Sequence, residues 1–271
     1  PYLFGGQMKE QEIKNQLAAK AVETTNPKLS KNMNIADLIK AIEPEIKKAL
    51  PTVITPERFT RIALSALNTT PKLAECSQMS FLAALMNAAQ LGLEVNSPLG
   101  QAYLIPYNNK GKLECQFQIG YKGMLGLAYR NPEIQTIQAQ VVYENDDFKY
   151  ELGLDSKLYH KPSLSDRGKV RCYYALYKLR NGGYGFEVMS RRDVEEYAKR
   201  YSKVTDSLYS PWANNFDSMA KKTVIKQLLK YAPLRTDLEK AMSMDESIKT
   251  RVSVDMSEVE NEETFDAEVE V

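Results

Sequence analysis

The chain has one histidine, His160, one tryptophan and three cysteines in 271 residues. A single imidazole excludes a histidine-built metal centre and leaves a Ser-His-Asp triad a poor fit. Cys76, Cys115 and Cys172 are isolated and odd in number. They fit neither a disulfide framework nor a cysteine-rich metal site, and they do fit a reducing cytoplasm. No apolar run approaches the ~18 residues that would span a bilayer. Glycines number only 13, and none belongs to a G-x-x-x-x-G-K-[ST] loop. Gly111-Lys112 runs into Leu113 and Gly168-Lys169 into Val170, so the phosphate cradle of ATP-driven motors is missing.

What is present is charge, unevenly spread. Lys and Arg total 36 against 35 Asp and Glu, yet residues 237–271 hold twelve acids and three bases, and the rest of the chain carries a net +10. A basic body with an acidic tail is the pattern of a polyanion binder whose tail screens it or meets a partner. Nucleic acid is the leading partner.

Periodicity divides the chain. Met8 reads as a natural start with no signal-peptide pattern after it, and residues 1–33 form a polar, partly disordered arm. Asn34 caps a helix carrying Ile35, Leu38, Ile39 and Ile42; Pro44 interrupts it and Pro51 ends it. Thr55-Pro56 opens another helix. A nearly all-apolar helix over 78–91 stops at Gly92 and should be the buried central post. Period-two runs at 101–105 and 113–119 flank Asn108-Asn109-Lys110-Gly111-Lys112, a hairpin with a basic tip. A helix over 120–130, strands over 134–142 and 148–152, and a second hairpin turning at Asn181-Gly182-Gly183 follow. Ser190 with Asp193 resembles a capping box. A strong helix covers 214–231 and a weaker one 237–249. From Ser253 onward the chain is too acidic and too poor in apolar residues to order alone. The reading is α+β: a twisted antiparallel hairpin sheet backed by helices, a small helical C-terminal region and an acidic disordered tail. The divisions expected are an arm (1–33), a DNA-binding and oligomerisation core (34–235) and a C-terminal region for partner binding (236–271).

Two motifs invite other readings. Gly120-Tyr121-Lys122-Gly123 matches the G-x-x-G clamp of a KH domain, but small residues that let a helix pack closely on a sheet explain it as well. Asp146, Asp147 and Lys149 resemble half of a Mg²⁺-dependent nuclease motif, and equally a solvated turn between strands. The basic residues are better organised. Arg191-Arg192 opens one helix and Lys199-Arg200 closes it. Lys222, Lys226 and Lys230 share a face of the later helix, whereas Lys221 falls nearer its apolar side.

The blocks Leu85 to Glu94, Gln101-Ala102-Tyr103-Leu104-Ile105-Pro106-Tyr107, Gln116 to Gly123, Ser210-Pro211-Trp212 and Met219-Ala220-Lys221-Lys222-Thr223 resemble, in order and spacing, the RecT family of phage and prophage single-strand annealing proteins. The resemblance implies an ATP-independent protein, not an enzyme and without cofactor or catalytic metal. Such a protein coats single-stranded DNA in the cytoplasm of a bacterial host and anneals it through a duplex intermediate. It implies a homo-oligomeric ring or helical filament, working with a partner exonuclease and the host single-strand-binding protein. The alternatives are the Mg²⁺-dependent nuclease and a passive protector of single strands. Annealing requires cations that lower the repulsion between strands and contacts that leave base edges free. The expected phosphate contacts are Lys122, Arg130, Arg191, Arg192, Lys199, Arg200, Lys221, Lys222 and Lys226. Lys110 and Lys112 would clamp from the hairpin tip, and Phe117 and Tyr121 would space or stack bases. Tyr129 beside Arg130 is a further stacking candidate. Deletion after Arg235 is expected to leave DNA binding intact or slightly tighter.

Overall fold

Three of the first four α-helices begin where a short polar side chain takes over a backbone N–H that the helix cannot pair. The Asn34 side chain accepts from Asp37 N at 2.8 Å and starts α1 (Ile35–Ala41). Pro44 sits in the first turn of α2 (Glu43–Ala49), where its missing N–H costs nothing, so the chain restarts a helix there. Thr55 caps α3 (Pro56–Thr69). Ser77 caps α4 (Gln78–Leu91), which buries eleven of its fourteen residues and ends as Gly92 turns left-handed at φ 59°. That helix is the expected central post.

The computed structural model describes residues 34–52, 54–201, 211–232, 236–253 and 255–262. The arm expected over 1–33 and the end of the acidic tail lie outside the described residues. Among the described residues no helix is long and apolar enough to cross a membrane.

The expected first hairpin is β1 (Ala102–Asn109) and β2 (Lys112–Ile119), turned by Lys110 and Gly111 at φ 52° and 80°. Both values are the left-handed geometry that a two-residue hairpin turn needs. After α5 (Tyr121–Ala128) come β3 (Ile134–Tyr143), β4 (Asp147–Glu151), β5 (Lys157–Lys161), β6 (Val170–Leu179) and β7 (Tyr184–Ser190). The architecture is α+β, but the strands form three small antiparallel sheets, β1-β2, β3-β6-β7 and β4-β5, rather than one. The first hairpin stays separate because α5 leaves directly from β2, and because Phe117 N on the outer edge of β2 donates to Ser247 O at 2.9 Å.

The three-stranded sheet has two covered faces. One meets α8 (Phe216–Leu229), where the Tyr173 hydroxyl donates to Asp217 at 2.5 Å. The other carries Val142, Cys172 and Tyr174, which pack with Phe148 beneath the β4-β5 hairpin. The capping box at the start of α6 (Arg191–Tyr201) is reciprocal: Ser190 N donates to Asp193 Oδ2 and Asp193 N to Ser190 Oγ, both at 3.0 Å. Short α7 (Pro211–Asn214) precedes α8, and α9 (Thr236–Met244) follows it.

Residues 236–262 do not stand apart from this body. Leu238, Ala241, Met244, Ile248 and Met256 are buried, all but Ile248 in the one large core that also holds α4 and α8. Ser253 onward, read as too polar to order, continues as a short 3-10 turn, Met256–Glu258, tied to α4 by Gln90, which accepts from Met256 N and donates to Asp255. Local composition misses this in part because the two contacts to Gln90 lie more than 160 positions away in sequence.

Gly120 and Gly123 act as spacers between α5 and the entry to β1. A Cβ on Gly120 would lie 2.3 Å from Gly100 O, and one on Gly123 2.1 Å from Gln101 O. Both obstacles are backbone, which cannot swing aside. Gly123→Ala is therefore expected to cost about 3 kcal/mol, the upper part of the overpacking range, read as a melting temperature lower by roughly 6–12 °C. Gly126 faces open space, and Gly126→Ala is the matched control that should leave the melt unchanged or raised.

Candidate nucleic-acid interface

A cleft of about 550 Å³ opens between the first hairpin, the start of α5 and the α7–α8 corner. Tyr103 lines it from β1, Gln118 from β2, Tyr121 and Lys122 from α5, and Asn214, Asn215 and Ser218 from α7 and α8. Two helices begin at its wall, α5 after Gly120 and α8 after Asn215, and neither first turn is capped by a side chain. The positive ends of two helix dipoles therefore face one concavity, an arrangement that favours phosphate. The Lys221 ammonium lies 5.7 Å from the centroid of the Tyr121 ring, within cation–π range. Lys122 is exposed at the rim.

Two of the expected residues thus line the cleft, Tyr121 and Lys122, and Lys221 stands beside the Tyr121 ring. Lys222 reaches the same cleft, but only as its floor. It is 2% exposed, and its ammonium is bound at 3.0 Å by Asp245 and at 2.9 Å by Glu246. Lys226 meets the other oxygen of Asp245 at 2.9 Å. Asp245 also accepts from Ile119 N at 2.8 Å, so one carboxylate ties β2, α8 and the C-terminal segment together. Desolvation works against the charge on Lys226, yet Asp245 and Glu246 hold its ammonium above the ordinary lysine range. Burial alone would raise the Glu246 carboxyl; Lys222 and Lys226 outweigh it and bring it down to about 2. The expectation that Lys222 and Lys226 present a phosphate-binding face is corrected: both are taken up by an internal ion cluster. A helical wheel shows that they share a face, not that acids from further along the chain cover it.

Several other expected contacts have structural employment. Phe117 is completely buried and cannot stack a base. Arg130 donates to Leu91 O at 2.7 Å and Gly92 O at 3.3 Å, satisfying the C-terminal carbonyls of α4. The Tyr129 hydroxyl accepts from Ile137 N and donates to Ile137 O, both at 3.1 Å, so it stoppers the open edge of β3. Arg191 stacks 3.7 Å above the Phe216 ring and donates to Glu195 at 2.7 Å. Arg192 pairs with Glu196 at 2.8 Å and stays exposed. Lys110 is exposed at the hairpin tip, and Lys112 there meets Glu114 at 2.9 Å. Lys199 and Arg200 are exposed at the end of α6.

The acids of the nuclease reading stand in different settings. Asp146 is fully buried, and its two oxygens accept from Tyr143 N, Ser163 N, Arg167 and His160. Arg167 foremost holds this carboxyl far below the usual range. A carboxylate only accepts, so His160 Nε2 donates to Asp146, and Nδ1 pairs with the Tyr174 hydroxyl at 3.2 Å. His160 therefore anchors the β4-β5 hairpin on the sheet. Asp147 lies at the surface, 3.3 Å from Lys149.

The cleft also contains polar residues that sequence reasoning passed over: Tyr103, Gln118, Asn214, Asn215 and Ser218. A signal for them existed. The blocks around Gln101–Tyr107 and Gln116–Gly123, which form one hairpin and its exit, and the later pair around Ser210–Trp212 and Met219–Thr223 all send residues into this one cleft: Tyr103 and Ile105, Gln118 to Lys122, Pro211, and Met219 with Lys222.

The family comparison defines a DNA-binding protein of the single-strand annealing class. The RecT family model matches residues 57–265, and the chain belongs to that family, whose proteins anneal single strands in DNA recombination. It is 40% identical over 226 residues to Protein RecT of Escherichia coli K12, covering 81% of this chain and 83% of that protein. It is 30% identical over 213 residues to the uncharacterized protein YqaK of Bacillus subtilis 168, covering 78% and 71% respectively.

Proposed function

We propose that the chain binds single-stranded DNA along this cleft and anneals it to a complementary strand without nucleotide hydrolysis. The observation that carries the reading is the convergence of sequence blocks from the first hairpin and from the α7–α8 corner on one cleft with cationic and aromatic walls. Annealing makes no covalent bond, so the work lies in neutralising phosphates while base edges stay free. Lys122, Lys221 and the starts of α5 and α8 supply positive potential, while Tyr121 and Tyr103 offer ring faces. Lys110 at the hairpin tip, Lys199, Arg200 and Arg192 extend the basic surface beyond the cleft. The working form is a ring or helical filament, because neighbouring copies must hold one strand continuously to keep register. A partner exonuclease supplies the strand, and the host single-strand-binding protein coats it beforehand. Contact with these partners falls to the acidic end of the chain beyond residue 262.

Complementary labelled oligonucleotides mixed with the protein should pair equally well without ATP and in EDTA, with strand length unchanged. A requirement for ATP hydrolysis, or strand shortening that EDTA abolishes, would overturn the reading. Lys122→Ala with Lys221→Ala should weaken binding alike on unrelated sequences. It should also reduce the salt slope by roughly 0.7 for each phosphate that is no longer neutralised. An unchanged slope in a folded double variant would remove both lysines from the interface.

A further inference from the structure

A second cleft, of about 350 Å³, lies on the other face of the three-stranded sheet, between that sheet and the β4-β5 hairpin. The α8 face of β6 is marked by Tyr173, so Leu176 and Lys178, of opposite parity, point away from α8. Across from them on β7 stand Phe186 and Tyr184, and Thr136 on β3 pairs with Lys178. Lys157 and Leu158 close the cleft from β5. The three-stranded sheet therefore lies between this cleft and α8, whose first turn lines the cleft already described.

Its chemistry is that of a stacking platform with cations beside it. The Tyr184 ring is 55% exposed, yet its hydroxyl donates to Ser156 O at 2.6 Å, which holds the ring in one orientation between β7 and the β5 entry. A ring already immobilised loses little entropy when a planar group stacks on it. Lys157 and Lys178 are exposed and make no ion pair among the described residues, and none of the residues lining the cleft is acidic. Leu158 and Leu176 supply an apolar floor continuous with the small core around Phe148. The volume falls at the lower end of the ~300–1,000 Å³ usual for small-ligand pockets, room for an unpaired base but not for a duplex.

We infer that this cleft is a second single-strand nucleic-acid site, taking an unpaired base against Tyr184 and Phe186 with the flanking phosphates at Lys157 and Lys178. The inference rests on the chain being a single-strand binder. It adds that one copy holds two segments of single strand, on opposite sides of the β3-β6-β7 sheet. Aromatic faces accept any base, so the site is sequence-tolerant.

The test uses the full chain and oligo-dT carrying 5-iodouracil, with irradiated adducts mapped by mass spectrometry. Adducts are expected at Tyr184 or Phe186 as well as at Tyr121 or Tyr103. Lys157→Glu with Lys178→Glu should abolish the first pair and spare the second. The same variant should lower the salt slope by about 1.4, the equivalent of two single-strand phosphates. Tyr184→Phe, which frees the ring from Ser156, should lower the Tyr184-site adduct yield several-fold while the protein melts as before. Adducts confined to the first cleft, with affinity and slope unchanged in the lysine variant, would overturn the inference. Stoichiometric binding there of an acidic aromatic peptide in place of oligo-dT would overturn it as well. Failure of the unaltered chain to bind any single strand would instead bring down the proposed function itself.

Discussion

A chain cut after residue 235 is expected to lose cooperative unfolding and most of its soluble yield, whereas one cut after residue 262 should melt like the full chain. The first cut removes Leu238, Met244, Ile248 and Met256, all buried. At ~1.5–3 kcal/mol for each large apolar side chain, that is on the order of 6–12 kcal/mol of burial. It also strips Asp245 and Glu246 from Lys222, which is only 3% exposed at its side chain. An uncompensated buried charge costs about 3–5 kcal/mol. Together these match or exceed the ~5–15 kcal/mol that holds a whole domain folded. The charge pattern alone favoured a dispensable tail after Arg235 and DNA binding intact without it. The structure packs buried residues from 238 to 256 against the body that this reading set apart. Urea unfolding followed by circular dichroism and by the fluorescence of Trp212 decides the matter. A cooperative, wild-type-like transition in the 1–235 chain would refute the integration of the segment.

Asp245→Ala is expected to be nearly as damaging through a single side chain. Asp245 is fully buried and serves Lys222, Lys226 and Ile119 N at once. Its removal leaves Lys222 to Glu246 alone and orphans a backbone donor. Breaking a buried pair costs about 3–5 kcal/mol, which for a chain of this size lowers the melting temperature by on the order of 10 °C. Asp245→Asn keeps an acceptor for Ile119 N and should recover part of that stability. If Asp245→Ala melts within a degree or two of the parent, the cluster is not a tertiary anchor.

The same cluster gives acid sensitivity a definite sign. Glu246 titrates near 2 in the folded chain, against about 4.3 for an unfolded glutamate. A carboxyl with a depressed folded value contributes stability above the unfolded value and loses it as pH falls toward the folded one. The contribution is therefore present above about pH 4.3 and fades between there and pH 2. The Glu246 side chain is 44% exposed, so solvent and salt screen part of its effect. The stability difference between the parent and Glu246→Gln should shrink across this window and shrink again in high salt. A difference that stays constant from pH 6 to pH 2 would detach Glu246 from the lysines.

The ion cluster also bears on the proposed DNA contacts. Of the lysines on α8, Lys221 rather than Lys222 or Lys226 is the one that reaches the cleft wall through an aromatic ring. A Lys222→Ala phenotype would mix folding with binding, so Lys122 and Lys221 are the informative substitutions. Arg130 and Arg191 carry the same warning: their guanidinium groups hold α4 and Phe216 in place.

Local chemistry was legible along the chain. Asn34, Thr55 and the Ser190–Asp193 box start helices because the groups they satisfy are within three residues. Gly92 and the Lys110-Gly111 turn read correctly because left-handed backbone is a property of the position itself. The apolar run over 78–91 had to be buried whatever surrounded it, and the basic body against an acidic end pointed to a polyanion before any contact was known. Which cations are taken up by internal acids and which stay open was decided only in three dimensions. Helical spacing put Lys222 on the cationic face and Lys221 nearer the apolar side, and the structure reverses the pair: Lys222 is buried and Lys221 is the more open of the two. The distinction comes from Asp245 and Glu246, more than twenty positions on, and from Tyr121, a hundred positions back. A lysine is buried only where acceptors are already held to receive its ammonium, the carboxylates of Asp245 and Glu246 in the case of Lys222, because desolvation outweighs every local preference. The first cleft likewise exists only where the hairpin and α7–α8 blocks meet, so its polar wall could be named only after the chain had folded around it.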